Sequence, residues 1–162
     1  MAELIDAPTL KSWINDGEEL ALLDVREAGQ FGEDHMLHAI PCPYSIIETR
    51  APLLAPRTTV RIALIDAADG TAQKAARRLD GMGYSNISIL DGGNAAWAGA
   101  GYEVFQGVNV PSKAFGEVVE HAADTPRIPA EELNAMIEVG EDMVIVDGRT
   151  PSEHHRMSIP GG

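Results

Sequence analysis

The sequence predicts an α/β domain with a central, mostly parallel sheet flanked by helices, and three observations carry that expectation. The runs Leu20 to Leu23 and Val60 to Ile65 are short and nearly continuous in apolar residues, as strands buried on both faces require, and Asn86 to Leu90 reads as another strand. Segments with helical spacing lie between them, so the strands are joined by crossovers rather than tight hairpins. The chain has 162 residues, 44% of them hydrophobic, which is enough for one domain with a core, or for one domain and part of another.

Taken in order, Asp6-Ala7-Pro8-Thr9 opens a helix whose apolar stripe is Leu10, Trp13 and Ile14, and Asn15-Asp16-Gly17 ends it. No strand is expected before it. Asp24-Val25-Arg26 closes the first strand, a short helix spans Glu27 to Phe31, and Ala39 to Pro43 is extended because each proline disfavours helix before it. Ser45 to Leu54 reads as a helix stopping before Pro56. Asp91-Gly92-Gly93 turns into a helix carrying Ala95, Ala96 and Trp97, with the glycine pair read as a turn that lets the backbone approach the preceding helix. Tyr102 to Phe105 reads as an edge strand, completing a domain at 1–106. A linker follows at 107–126, with one helix over Phe115 to Ala122, and the chain then begins again at 127–162.

The stretch from Val60 to Leu79 organises the whole. An apolar strand stops at Asp66, a loop of small residues (Ala67, Ala68, Asp69, Gly70, Thr71, Ala72) follows, and the pattern changes to a helix with Ala75, Ala76 and Leu79 on one face. Loop and first-turn N–H groups in such a junction converge on one concavity, which favours an anion or a thiolate. Its first residue decides its chemistry, and that residue is Asp66.

Charge and cysteine content exclude several classes. The net charge of −13 leaves no basic patch for DNA, RNA or an anionic membrane. No apolar run reaches membrane-spanning length, and the N-terminus lacks the basic and apolar regions of a signal peptide. One cysteine, Cys42, allows no intrachain disulfide. A cytoplasmic location is expected.

The chain also repeats itself. Asp147-Gly148-Arg149 follows Met143 to Val146, read as a strand, as Asp24-Val25-Arg26 follows Leu20 to Leu23; the offset, 147 − 24 = 123, holds without a gap from Ile5–Ala39 against Ile128–Gly162. Ile5, Ala7, Leu10, Ile14, Gly17, Glu18, Asp24 and Arg26 all meet identical residues. A tandem duplication is expected, its second copy lacking the central strand and loop, so the chain reads as part of a longer protein.

Leu22-Leu23-Asp24-Val25-Arg26-Glu27, followed by Phe31 and by Asp34 to Ile40, resembles the first signature of the rhodanese-like domains, and Leu90-Asp91-Gly92-Gly93 with Ala96-Trp97 is similar to the second. Asp147 to Pro151 and Ile159 to Gly162 look like another first signature. The resemblance implies a parallel sheet between helices and, in active members, a sulfurtransferase whose loop cysteine takes a sulfane sulfur from a donor such as thiosulfate. It also implies that Asp66 stands where that cysteine would be, that no cofactor or metal is needed, and that domain one is catalytically inactive. Two readings stay open. The chain is part of a multidomain thiosulfate sulfurtransferase whose working cysteine lies elsewhere, or domain one is a regulatory or scaffolding module. Self-association or a swap through the incomplete copy remains an alternative.

The remaining candidates have plainer readings. Cys42 is taken as a buried structural thiol rather than a displaced nucleophile. Asp66 is taken as a tolerated replacement, with cation binding or mimicry of a bound anion as the alternative. Asp24 and Arg26, with Asp147 and Arg149, are expected to form a charge-assisted network bracing the loops. His35, His38, His154 and His155 are read as exposed loop histidines rather than metal ligands. Lys74, Arg77 and Arg78 form a solvated basic face, with steering of thiosulfate the alternative.

Overall fold

The computed structural model describes residues 2–108 and 110–162, so Asn109 of the expected linker lies outside the described residues. The chain divides into two compact units, Met1–Val118 and Val119–Gly162.

The first unit is a five-stranded parallel sheet. Its elements in chain order are β1 (Glu3–Ile5), α1 (Ala7–Ile14), β2 (Leu20–Asp24), α2 (Ala28–Glu33), β3 (Ile40–Pro41), a 3-10 turn at Tyr44–Ile46, α3 (Ile47–Leu54), β4 (Arg61–Ile65), α4 (Thr71–Gly81), β5 (Ile87–Leu90) and α5 (Gly93–Gly99). The strand order is β1-β5-β4-β2-β3, which puts β4 in the middle. Its register on β2 runs from Leu20 opposite Arg61 to Asp24 opposite Ile65.

Alternation along β4 sorts the core into two layers. Ile62 and Leu64 point to the layer that holds Ile47 and Ala51 of α3 and Ala72, Ala75, Ala76 and Leu79 of α4. Ala63 and Ile65 point to the other, against Leu10 of α1, Phe31 of α2 and Trp97 of α5. Both faces of the strand are covered, which is why its sequence shows no polar alternation. Helix α1 starts where expected, because the Asp6 carboxylate accepts from Thr9 N at 2.8 Å and Pro8 sits in the first turn.

Several expectations are corrected. A strand does precede α1: β1 pairs with β5, Ile5 opposite Leu90, although only Ile5 of its three residues is buried. Such a strand has no pattern of its own and is decided by its neighbour. Tyr102 to Phe105 is not a strand; it makes one isolated antiparallel bridge, His35 to Phe105. It is held instead by its side of the core, with Trp97 Nε1 donating to Glu103 O at 3.0 Å and the Trp97 and Tyr102 rings 4.5 Å apart. The helix expected over Phe115 to Ala122 is longer, α6 spanning Val110–Ala123 with Pro111 tolerated in its first turn.

The second unit holds α7 (Ala130–Val139) and α8 (Pro151–Arg156). Met143 to Val146, expected as a strand, forms no strand, because no strand among the described residues lies beside it to pair with. No helix of the described residues is long and apolar enough to cross a membrane.

Leu64, fully buried in β4, measures how much the central strand contributes. Leu64→Ala is expected to destabilise the first unit by about 2–5 kcal/mol, read as a lower urea midpoint with an unchanged slope.

Candidate functional site

In open parallel sheets the concave site lies outside the carboxyl ends of the strands, and β4 ends at Ile65. Asp66 is the next residue and is 2% exposed. The chain then turns through Ala68, whose φ of 59° is unusual for a residue with a side chain, and through Gly70 at φ 82° into α4. This turn directs loop N–H groups inward, and the Asp66 carboxylate accepts them. Ala68 N donates to Oδ1 at 2.9 Å and Ala72 N donates to Oδ2 at 2.9 Å. Both carboxylate oxygens are therefore engaged by the loop and first helical turn that follow them. Asp69 repeats the device on the outside, accepting from Thr71 N at 3.0 Å, and the hydrogen bonding from Thr71 holds its carboxyl below the usual range. The loop contains no thiol.

The floor of the site comes from the end of β5. Gly93 has φ 58°, and a Cβ placed on it would lie 2.2 Å from Asp66 O. Asn94 N donates to that same carbonyl at 3.0 Å. The glycine pair thus serves a close approach to the loop after β4 rather than to the preceding helix, which corrects the earlier expectation. Gly92 supplies the left-handed turn before it, at φ 74°. Asn94 is a site residue that sequence reasoning missed. Its side chain is 2% exposed, and its amide atoms have no hydrogen-bond partner among the described residues. The only available signal was its place directly after Gly92-Gly93.

Asp24 and Arg26 brace the neighbouring strand end. Arg26 Nε donates to Asp24 Oδ1 at 3.0 Å and Nη2 donates to Oδ2 at 2.7 Å, while Nη1 donates to Asp34 Oδ1 at 2.7 Å. Burial opposes the charge on Arg26, but the hydrogen bonds to Asp24 and Asp34 outweigh it and hold the guanidinium above its ordinary pKa. The bracing reaches the loop through the backbone, since Val25 N donates to Ile65 O at 2.9 Å. Asp147 and Arg149 make a similar pair in the second unit, Nε to Oδ1 at 2.9 Å, and Arg149 holds Asp147 well below the usual carboxylate range.

Cys42 lies in the core beside Leu23 and Ile47 with no exposed surface. Burial pushes its thiol up to about 11, against the opposing charge of Arg50. His35 departs from expectation: it is 1% exposed, stacked 4.0 Å from the Phe31 ring, and its Nδ1 lies 3.0 Å from Phe31 O. His38 and His155 are exposed, and His154 is half-buried. On the basic face of α4, Lys74, Arg77 and Arg78 are all exposed, and Arg78 also bonds Glu48 at 2.9 Å and lies over the Tyr44 ring.

The family model for the rhodanese-like domain matches residues 6–100 of this chain. The chain belongs to the rhodanese-like domain family. The crystal structure of a thiosulfate sulfurtransferase from Pseudomonas aeruginosa is 42% identical, with a TM-score of 0.89, over 99% of this chain and 30% of that one. This chain thus spans less than a third of that relative. The Alr3790 protein from Anabaena sp. is 27% identical with a TM-score of 0.60, over 68% of this chain and 99% of that one. A rhodanese-related protein from Thermoplasma volcanium is 26% identical, TM-score 0.55, over 64% of this chain and 97% of that one. No curated protein matches.

In this rhodanese-like domain two residues away from the loop mouth report on its integrity. Gly93→Ala must move Asp66 and its loop, and is expected to cost roughly 3 kcal/mol or more, checked by urea unfolding. Cys42 is ionised more readily in the unfolded chain than in the folded one, since burial raises its pKa from 9.0 to about 11. Its contribution is therefore intact below pH 9.0 and is lost as pH rises toward about 11. Stability of the native protein should fall across that window, and Cys42→Ala should flatten the fall.

Proposed function

We propose that the first unit is a catalytically inactive rhodanese-like domain belonging to a multidomain thiosulfate sulfurtransferase. The observation that carries this reading is the Asp66 carboxylate at the mouth of the loop, accepting from Ala68 N and Ala72 N. Sulfur transfer from thiosulfate needs a thiolate there. Its sulfur attacks the outer sulfur of the donor, the sulfur–sulfur bond breaks, sulfite leaves, and a persulfide remains for a thiophilic acceptor. Helix and loop N–H groups would stabilise both the thiolate and the persulfide. A carboxylate cannot form that bond, and here it takes the same N–H groups that an anionic sulfur would need. The one thiol of the chain, Cys42, is buried with its pKa raised, so it does not substitute.

The multidomain setting is supported by the match to less than a third of the Pseudomonas aeruginosa thiosulfate sulfurtransferase. It is supported also by residues 127–162, which we read as the beginning of a second rhodanese-like domain after the linker at 107–126. A sulfur donor such as thiosulfate is then a substrate of the whole protein rather than of this unit. The acidic chain is expected to bind no nucleic acid and to work in the cytoplasm.

Intact-mass spectrometry after thiosulfate, with a cyanide-to-thiocyanate assay alongside, tests the reading. The native chain should gain no sulfur and produce no thiocyanate. Asp66→Cys should gain the mass of one sulfur atom. Turnover by the native chain, or a sulfur on Cys42, would overturn it.

A further inference from the structure

The two faces of the sheet in the first unit are not covered alike. On one face Ile5 of β1 is buried with Leu10 of α1, Phe31 of α2 and Trp97 of α5. On the other, α3 and α4 close over β2, β4 and Ile89 of β5. Strand β1 lies beyond β5, at the edge of the sheet. Side chains alternate along a strand, so Leu4 turns to the face opposite Ile5, and there it is 55% exposed.

A groove of about 440 Å³ remains between α4 and this edge. Its floor is apolar, made by Leu4, Ile87 and Ile89 from the strands and Ala76 from the helix. Its rim carries Arg77 and Asp80, one turn apart on α4. The volume lies in the range of small-ligand sites, roughly 300–1,000 Å³. No lining residue belongs to the loop at 66–72, so the groove is separate from the Asp66 turn.

Charge on the rim narrows the ligand. The Asp69 carboxyl is held low by Thr71 and then by the charge of Lys74, and Glu48 takes Arg78 at 2.9 Å. Among the described residues this leaves Arg77 as the cation of α4 with no carboxylate partner, since it forms no ion pair even with Asp80. We propose that the groove binds a small amphipathic carboxylate, its apolar chain on Leu4, Ile87 and Ile89 and its anionic end on the Arg77 guanidinium. A guanidinium is weakly hydrated and presents a planar fork to a carboxylate, which suits an anion held beside apolar surface. The apolar chain is required as well, because an exposed ion pair by itself contributes little. Asp80 repels an anion, which places the carboxylate on the side of Arg77 away from it.

The test is a titration of the native chain with octanoate, kept below the concentration at which it forms micelles, and read by amide NMR shifts. The amides of Leu4, Arg77, Ile87 and Ile89 should shift together and saturate. Hexanoate, shorter by two methylenes, should bind roughly 10-fold more weakly. Octylammonium should also bind roughly 10-fold more weakly than octanoate, although the net charge of −13 favours a cation overall. Arg77→Gln should weaken octanoate by about 5-fold, and Asp80→Asn should tighten it by about 2-fold. Both side chains are exposed, so neither variant disturbs the core. Absence of a saturable shift, equal affinity for octanoate and octylammonium, or unchanged affinity in Arg77→Gln would overturn the proposal. Sulfur transfer enters none of these readouts, so failure here is distinct from failure of the catalytic reading.

Discussion

In a parallel sheet every strand starts from the same end, so the loops that leave the strands gather at the other end. In this chain that constraint acts through β4. It lies between β2 and β5 with side chains buried on both faces, and this fixes where Asp66 emerges. The neighbours on either side then reach the same place. Val25 N bonds Ile65 O from the β2 side, and Asn94 N bonds Asp66 O from the β5 side, 2.9 and 3.0 Å long. Asp66 is held by the sheet before its side chain makes any contact.

Within that frame the carboxylate behaves as an internal ligand of its own loop. Two N–H groups that would otherwise need an external anion or water are satisfied by Asp66, and a third close contact, from Gly93, leaves no space below it. Both carboxylate oxygens are taken up inside the loop, which makes it a closed hydrogen-bonded turn. The N–H groups belong to the backbone, so the turn needs only an acceptor at this position, and the carboxylate supplies one.

The Asp-x-Arg pair illustrates the difference between local and tertiary stabilisation. In the first unit Asp24 and Arg26 are both buried, so their bidentate geometry compensates for lost hydration. In the second unit Asp147 and Arg149 form similar bonds with the guanidinium 43% exposed, where water competes and the net gain is small. The same four atoms therefore carry different weights in the two units.

Much of this was legible in the chain. Continuous apolar runs and helical spacings predicted the α/β class, because a strand covered on both faces must be apolar throughout, as Ile62 to Ile65 is. Asp66 could be named as the loop's first residue because β4 and α4 have patterns that meet there. Cys42 was expected in the core because the resemblance puts an apolar core residue at its position between Pro41 and Pro43. Other features depended on neighbours distant in sequence. Glu3–Ile5 is a strand only because β5 offers an edge, whereas Met143–Val146 has better strand residues and no strand partner among the described residues. His35 is buried because Phe31 stacks on it and Phe105 bridges to it, contacts that no local pattern announces. The sequence by itself determined the periodicities, the caps and the identity of the residue at the loop mouth, since these depend on residues a few positions apart. Only the tertiary structure decided which strands exist, what Gly93 approaches and which charges are buried, because each of those depends on a surface supplied from elsewhere in the chain.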